Sequence, residues 1–292
     1  MERSRNDLSE LYRLERLIAA RDELTIAANA VKGECDALDD RSPPHLWTRL
    51  ANQTDELRRK AELLQYSVRC ENSLERCDAF LVIEASYGSA LPHLKQLVEM
   101  YSAWTRRMGF DLTLVHEEMN REGSETGQVV LLIEGTAVYG VMQCEHGLHE
   151  FRQGRQENEY VLVSVMPVDE TNNLNADGIS VQSAPSESSG SIIGDFQGIT
   201  TAAYKESDTV IRIENALDLA ESERVAVDLL QSEIHHQATL EDGDPDEIEI
   251  ARRYRLHTKA LARDPRTGVT IDKLNDLWKG KLNPFFLGWL DR

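Results

Sequence analysis

Asp78-Ala79-Phe80-Leu81-Val82-Ile83-Glu84-Ala85 is the stretch that decides the fold. A short apolar run between acids reads as a buried strand. Leu94, Leu97, Val98, Tyr101 and Trp104 follow at three-to-four spacing, the stripe of a helix that buries one face. Gly109 stops that helix, and Leu112-Thr113-Leu114-Val115 starts a second strand. Val129 to Ile133 and Tyr160 to Val165 read as two more. The order strand, helix, strand, strand predicts an α+β domain with one helix across a sheet.

Upstream, Leu11, Leu14, Leu17, Ile18 and Leu24 keep a helical rhythm. Pro43-Pro44 must break it. A second helix takes over, with Leu46, Leu50, Leu57, Ala61, Leu64 and Val68 on one stripe. The pair predicts an N-terminal helical hairpin over residues 1–77, ahead of a β-rich domain at 78–171. Downstream the periodicity is lost between Asn172 and Asp208, and the small, polar Ser183 to Ser191 reads as an exposed, mobile loop or linker. A helix from about Leu217 to His235 is expected next. The acidic run from Glu241 to Glu249 reads as a solvated connection, and residues 251–292 return to a globular pattern.

The 292 residues allow a sizeable core in two or three compact units. No apolar run is long enough to span a membrane, and the charged residues Met1 to Asp7 predict no secretory signal. A soluble protein is expected; any organelle transit peptide would already have been removed. Net charge is −19, from 51 acids against 32 bases, so nucleic acid is repelled at long range unless bases gather locally. Cys35, Cys70, Cys77 and Cys144 form no CxxC pair and read as free thiols in a reducing compartment, with a redox pair as the lesser alternative.

Asp78 to Ala85 is followed by Met100-Tyr101-Ser102-Ala103-Trp104 with Gly109-Phe110, then by Leu132-Ile133-Glu134-Gly135 with Ala137, Tyr139-Gly140 and Glu145-His146-Gly147-Leu148-His149. In this order these stretches resemble class I peptide chain release factors, the release-factor-two branch above all. Arg212 to Ile234 resembles the catalytic-domain helix more weakly. Tyr254, Leu256, Asp264, Arg266-Thr267-Gly268-Val269 and Asn283-Pro284-Phe285 resemble the C-terminal return. The resemblance implies a release-factor-like β-rich domain, a reduced catalytic-domain remnant at 172–250, and a C-terminal return at 251–292 packing on the β-rich domain.

It also implies two functional elements, and neither is found. A serine-proline-phenylalanine tripeptide and a downstream His-Thr pair should read the stop codon, but His149-Glu150-Phe151-Arg152-Gln153 runs straight into Gly154-Arg155-Gln156-Glu157-Asn158-Glu159. Counting back without gaps from Val210, the catalytic Gly-Gly-Gln falls on Ser189-Gly190-Ser191. A backbone N–H could still stabilise an oxyanion there. However, Leu174 to Thr209 carries one base against five acids, unsuited to a place among RNA phosphates. Loss of peptidyl-tRNA hydrolysis is expected.

Arg252, Arg253, Arg255, His257, Lys259, Arg263 and Arg266 gather positive charge in one stretch. Two readings stand side by side: contacts to RNA phosphate through Arg252, Arg253, Arg255, Lys259 and Arg263, or internal pairing with the acidic run. Arg266 reads as structural. Cys144, His146 and His149 lack a fourth ligand for zinc, so no metal is expected and His149 reads as a structural histidine. His235-His236 reads as a capping or surface pair at a helix end. No nucleotide loop, nucleophile elbow or HExxH is present, so no cofactor is expected.

Three functions of different class follow. The first is a non-catalytic RNA-binding protein acting in translation or protecting a transcript. The chain is similar to plant plastid release-factor relatives that act on messenger RNA stability. The second is a release or rescue factor with altered motifs, and the third a structural subunit of an organellar ribosome. The expected partners are messenger or ribosomal RNA and the ribosome. The expected compartment is the chloroplast stroma or another organelle matrix in a eukaryote, and the cytoplasm otherwise.

Overall fold

The computed structural model describes residues 2–119, 126–154, 157–168, 178–185, 198–215, 217–241, 248–257 and 259–292. They fall into two units, Met1–Glu71 and Asn72–Arg292.

The first unit is a helical hairpin of α1, Glu2–Asp36, and α2, Pro44–Arg69. Pro44 sits at the start of α2, where a missing backbone N–H costs nothing. Arg13 Nη1 donates to the Ser67 carbonyl at 3.0 Å, and Arg49 pairs with Glu34 at 2.9 Å, so the helices run antiparallel. Leu50 is buried, and Leu17, Leu24, Val31, Leu57 and Leu64 are half-buried. Leu11, Leu14 and Ile18, expected on the buried stripe, are instead about half exposed. Two helices sharing one seam bury a narrower strip than a helix on a sheet.

In the second unit the expected strand, helix, strand, strand order is present as β1 (Ala79–Ala85), α3 (Leu91–Met108), β2 (Asp111–Met119) and β3 (Gly127–Glu134). Gly109 caps α3 at φ 70°, the left-handed geometry that glycine adopts without penalty. Short α4 (Val138–Met142) leads into β4 (Gly147–Arg152) and β5 (Glu159–Pro167). Then come β6 (Ile179–Pro185), β7 (Gly198–Tyr204), β8 (Thr209–Asn215) and α5 (Leu219–Glu241). The chain ends in β9 (Ile250–Arg255), β10 (Leu261–Arg263), β11 (Thr270–Ile271), α6 (Leu274–Trp278) and α7 (Asn283–Leu290).

Eight strands form one sheet in the order β11-β10-β9-β4-β5-β1-β3-β2, antiparallel except for the parallel β4–β9 pair. On one face Leu81, Ile83, Leu131 and Val163 are buried with the α3 stripe of Leu94, Leu97, Tyr101 and Trp104. On the other, Phe80, Val130, Leu132 and Met166 share a core with Ala202, Tyr204, Ile213, Val225, Leu229 and Leu230. That core joins the large sheet to the three-stranded sheet β6-β7-β8 and to α5.

Two expectations are corrected here. The segment 172–208, read as a loop, contains β6 and β7. Thr200, Ala202 and Tyr204 alternate inward, but Thr200 and Ala202 leave a faint hydrophobic signal, and the strands form because α5 covers them. Arg212, placed with the catalytic-domain helix, lies on β8. Of the expected mobile stretch, Ser183 to Pro185 belongs to β6; 186–190, including the Ser189-Gly190 part of the counted triplet, and Ser191 lie outside the described residues.

Candidate nucleic-acid interface

Ile250-Ala251-Arg252-Arg253-Tyr254-Arg255 carries the first three residues of the basic cluster, and the pleat of β9 divides them. Successive residues of a strand point to opposite faces. Arg252 and Tyr254 turn inward, whereas Arg253 and Arg255 turn out.

Arg252, expected on RNA phosphate, is 1% exposed and lies in the interior. Its guanidinium bonds to Glu145 and to Asp264 (3.1 Å), and its Cζ sits 3.6 Å above the Phe285 ring. The ion pairing drives the Arg252 pKa up although burial opposes this. The Glu145 carboxyl is held below its usual value: burial works to raise it, and Arg252, His149 and the Cys144 thiol together more than offset that. Tyr101 donates its hydroxyl to Glu145 at 3.0 Å. Arg266 has the structural role expected of it, donating to the carbonyls of Cys144 and His146 and pairing with Asp264 at 3.3 Å. Internal pairing therefore exists, but with Glu145 and Asp264. Most of the acidic run, 242–247, lies outside the described residues.

His149 is fully buried beside this pair. Its Nε2 lies 2.9 Å from the Glu145 carbonyl, which can only accept, so Nε2 carries the proton and Nδ1 accepts from the Tyr254 hydroxyl at 3.1 Å. Burial pulls its pKa down to about 4, so it is neutral at pH 7. His146 is likewise pulled to about 4 by burial, and its Nδ1 accepts from the Val165 amide at 3.2 Å. Burial pushes the Cys144 thiol up. These groups are committed to one another. His235 and His236, expected at a helix end, lie within α5, which continues to Glu241. The His236 ring meets that of His146 edge-on at 5.4 Å.

The outward face is different. Arg253 is 46% exposed and Arg152, on β4, is 52% exposed. Arg255 and Arg263 are exposed and have no ion-pair partner among the described residues. Lys259, exposed between β9 and β10 at φ 57°, stands outside the strand ladder. Strand pairing sets Arg152 opposite Arg255 and Arg253 opposite Arg263. Glu150, only 2% exposed, lies beneath Arg152 and Arg253. Its Oε1 accepts from Arg152 Nε (3.0 Å) and Nη2 (2.8 Å) and from Asn158 (2.7 Å), while Arg253 Nε is 2.9 Å from Oε2. Arg152 and Glu150 were missed in the sequence because 149–153 reads as the start of a loop. The alternation of buried His149 and Phe151 with Glu150 and Arg152 was the available signal.

Arg152, Arg253, Arg255 and Arg263 thus share one face of a sheet whose other face is backed by α3, with the buried Glu150 beneath the first two. Residues 1–156, more than half of the chain, match the PCRF domain, and the chain belongs to that family, the class I peptide chain release factors. It is 19% identical over 268 residues to peptide chain release factor 2 of Clostridium perfringens, covering 83% of this chain and 73% of that one. It is 20% identical over 298 residues to peptide chain release factor 2 of Staphylococcus epidermidis, covering 92% and 79%. The solved structure of release factor 2 of Thermus thermophilus superposes with a TM-score of 0.66 at 17% identity, over 99% of this chain and 88% of that one, which shows a shared fold.

Proposed function

We propose that this chain is a non-catalytic, release-factor-derived RNA-binding protein that acts in translation or stabilises a messenger RNA. The observation that carries this reading is the open face of Arg152, Arg253, Arg255 and Arg263 on a molecule of net charge −19. Such local positive charge against an acidic background suits phosphate contact at short range. Loss of hydrolysis is supported by the sequence, which contains neither a serine-proline-phenylalanine tripeptide nor a Gly-Gly-Gln triplet. A plastid or other organelle matrix as compartment rests on the resemblance to plastid relatives, and the ribosome as partner on family membership.

Two measurements test the proposal together. Ribosomes stalled at each stop codon and given this protein should release no peptide above background, while filter binding should detect an RNA complex that weakens steeply with salt. Stop-codon-dependent release, or no RNA complex at low salt, overturns it.

A further inference from the structure

The arginines occupy one end of a longer surface. Over β1, β3 and β2 this face of the large sheet is covered by the three-stranded sheet and α5. Over β5, β4, β9 and β10 it carries exposed Tyr160, Arg152, Arg253, Arg255 and Arg263. Register makes these a row. Tyr160 lies opposite Glu150, Glu150 opposite Arg253, and Arg253 opposite Arg263. With neighbouring strands about 4.8 Å apart, the backbone at Tyr160 is roughly 10 Å from that at Arg253 and roughly 14 Å from that at Arg263.

Two features narrow the ligand. Tyr160 is 41% exposed, an aromatic ring at the edge of a guanidinium cluster. Glu150 accepts hydrogen bonds from Arg152 Nε and Nη2 and ion-pairs with Arg253 at 2.9 Å, without a hydrogen bond to Glu150 Oε2. Each guanidinium has five N–H donors, so outward ones remain, and a pre-set fork loses less freedom on meeting phosphate. We propose that this face is a platform for single-stranded RNA, with one base stacked on Tyr160 and the adjoining phosphates on Arg152, Arg253, Arg255 and Arg263. The inference rests on the RNA-binding reading above and names the form of RNA.

Unpaired RNA fits on two counts. An unstacked base offers a π-face to an aromatic ring, whereas bases within a duplex are already stacked on one another. A duplex also concentrates phosphate charge, and the −19 chain repels it more strongly than a flexible single strand.

Fluorescence anisotropy with the full chain decides the matter, using a labelled 12-nucleotide oligouridylate and a labelled RNA duplex of 12 base pairs. The single strand should bind more tightly. Tyr160→Ala should weaken it on the order of tenfold, with Tyr160→Phe close to the unaltered protein. Arg263→Ala should weaken it and lower the salt slope by about 0.7. Circular dichroism of each variant separates lost binding from lost folding. Duplex binding as tight as single-strand binding, or an unchanged affinity in folded Tyr160→Ala, overturns the platform and leaves the RNA-binding reading standing. Binding of neither RNA at low salt overturns the RNA-binding reading itself.

Discussion

Arg252 and Arg253 are chemically identical neighbours with opposite consequences. The Arg252 charge is shut away from water and matched by Glu145 and Asp264. Arg252→Ala would leave the buried Glu145 carboxylate without its arginine while Asp264 keeps Arg266, and removing one partner of a buried pair costs about 3–5 kcal/mol. Urea unfolding should register that loss, while Arg253→Ala, at a half-exposed position, should change stability by less than about 1 kcal/mol. Equal effects of the two variants would contradict the assigned burial. The histidines add a pH dependence. His146 and His149 have folded values near 4 against an ordinary value of 6.5. The unfolded chain therefore binds more protons below about pH 6.5, and stability falls as pH drops from there toward 4. A urea midpoint measured at pH 7, 6 and 5 should decline, and His149→Gln should flatten the decline. A constant midpoint would show that neither ring is held neutral by the fold.

At the scale of elements, the β4–β9 pair is the joint on which the arginine face depends. It is the parallel pair in an otherwise antiparallel sheet, formed between strands about a hundred residues apart in the chain. Gly147 opens β4 at φ 125°, and a Cβ there would stand 2.5 Å from the Glu249 carbonyl oxygen. That carbonyl accepts from the Leu148 amide at 2.8 Å, the first bond of the joint. Gly147→Ala should thus impose backbone strain and push β9 away, destabilising the protein by about 2 kcal/mol or more. Thermal unfolding would show the loss, and RNA affinity should fall with it because Arg152 and Arg255 lose their register. An alanine variant of unchanged melting temperature would remove the steric argument.

For the whole molecule the relevant quantity is local charge set against global charge. Four arginines form one open face of a chain whose net charge is −19. If each meets one phosphate of a single strand, affinity should fall roughly fiftyfold between 50 and 200 mM salt. The combined Arg253→Ala, Arg255→Ala, Arg263→Ala variant should lose most of that dependence while remaining folded. Arg252 is left out of this set because its removal tests the core. A triple variant that binds with the same salt slope would place the phosphate contacts elsewhere.

Local patterns in the sequence were enough for the strand at Phe80 to Ile83, the α3 stripe, the Gly109 cap and the break at Pro43-Pro44. In each case the deciding force acts within a few residues: side-chain periodicity, a left-handed φ, or a missing N–H. The ordered motifs from Asp78 onward were enough for the family. The structural roles of Arg266 and His149 were legible in the same way. The inward turn of Arg252 was not, since it depends on β9 lying between β4 and β10, with α7 supplying Phe285 above it. The strands β6 and β7 were hidden for a related reason: Thr200 and Ala202 give the inward side of β7 little apolar signal, and it is α5 that makes burying them favourable. A pleat fixes which residues share a face, but which face is covered depends on what packs against it, and only the tertiary structure decides that.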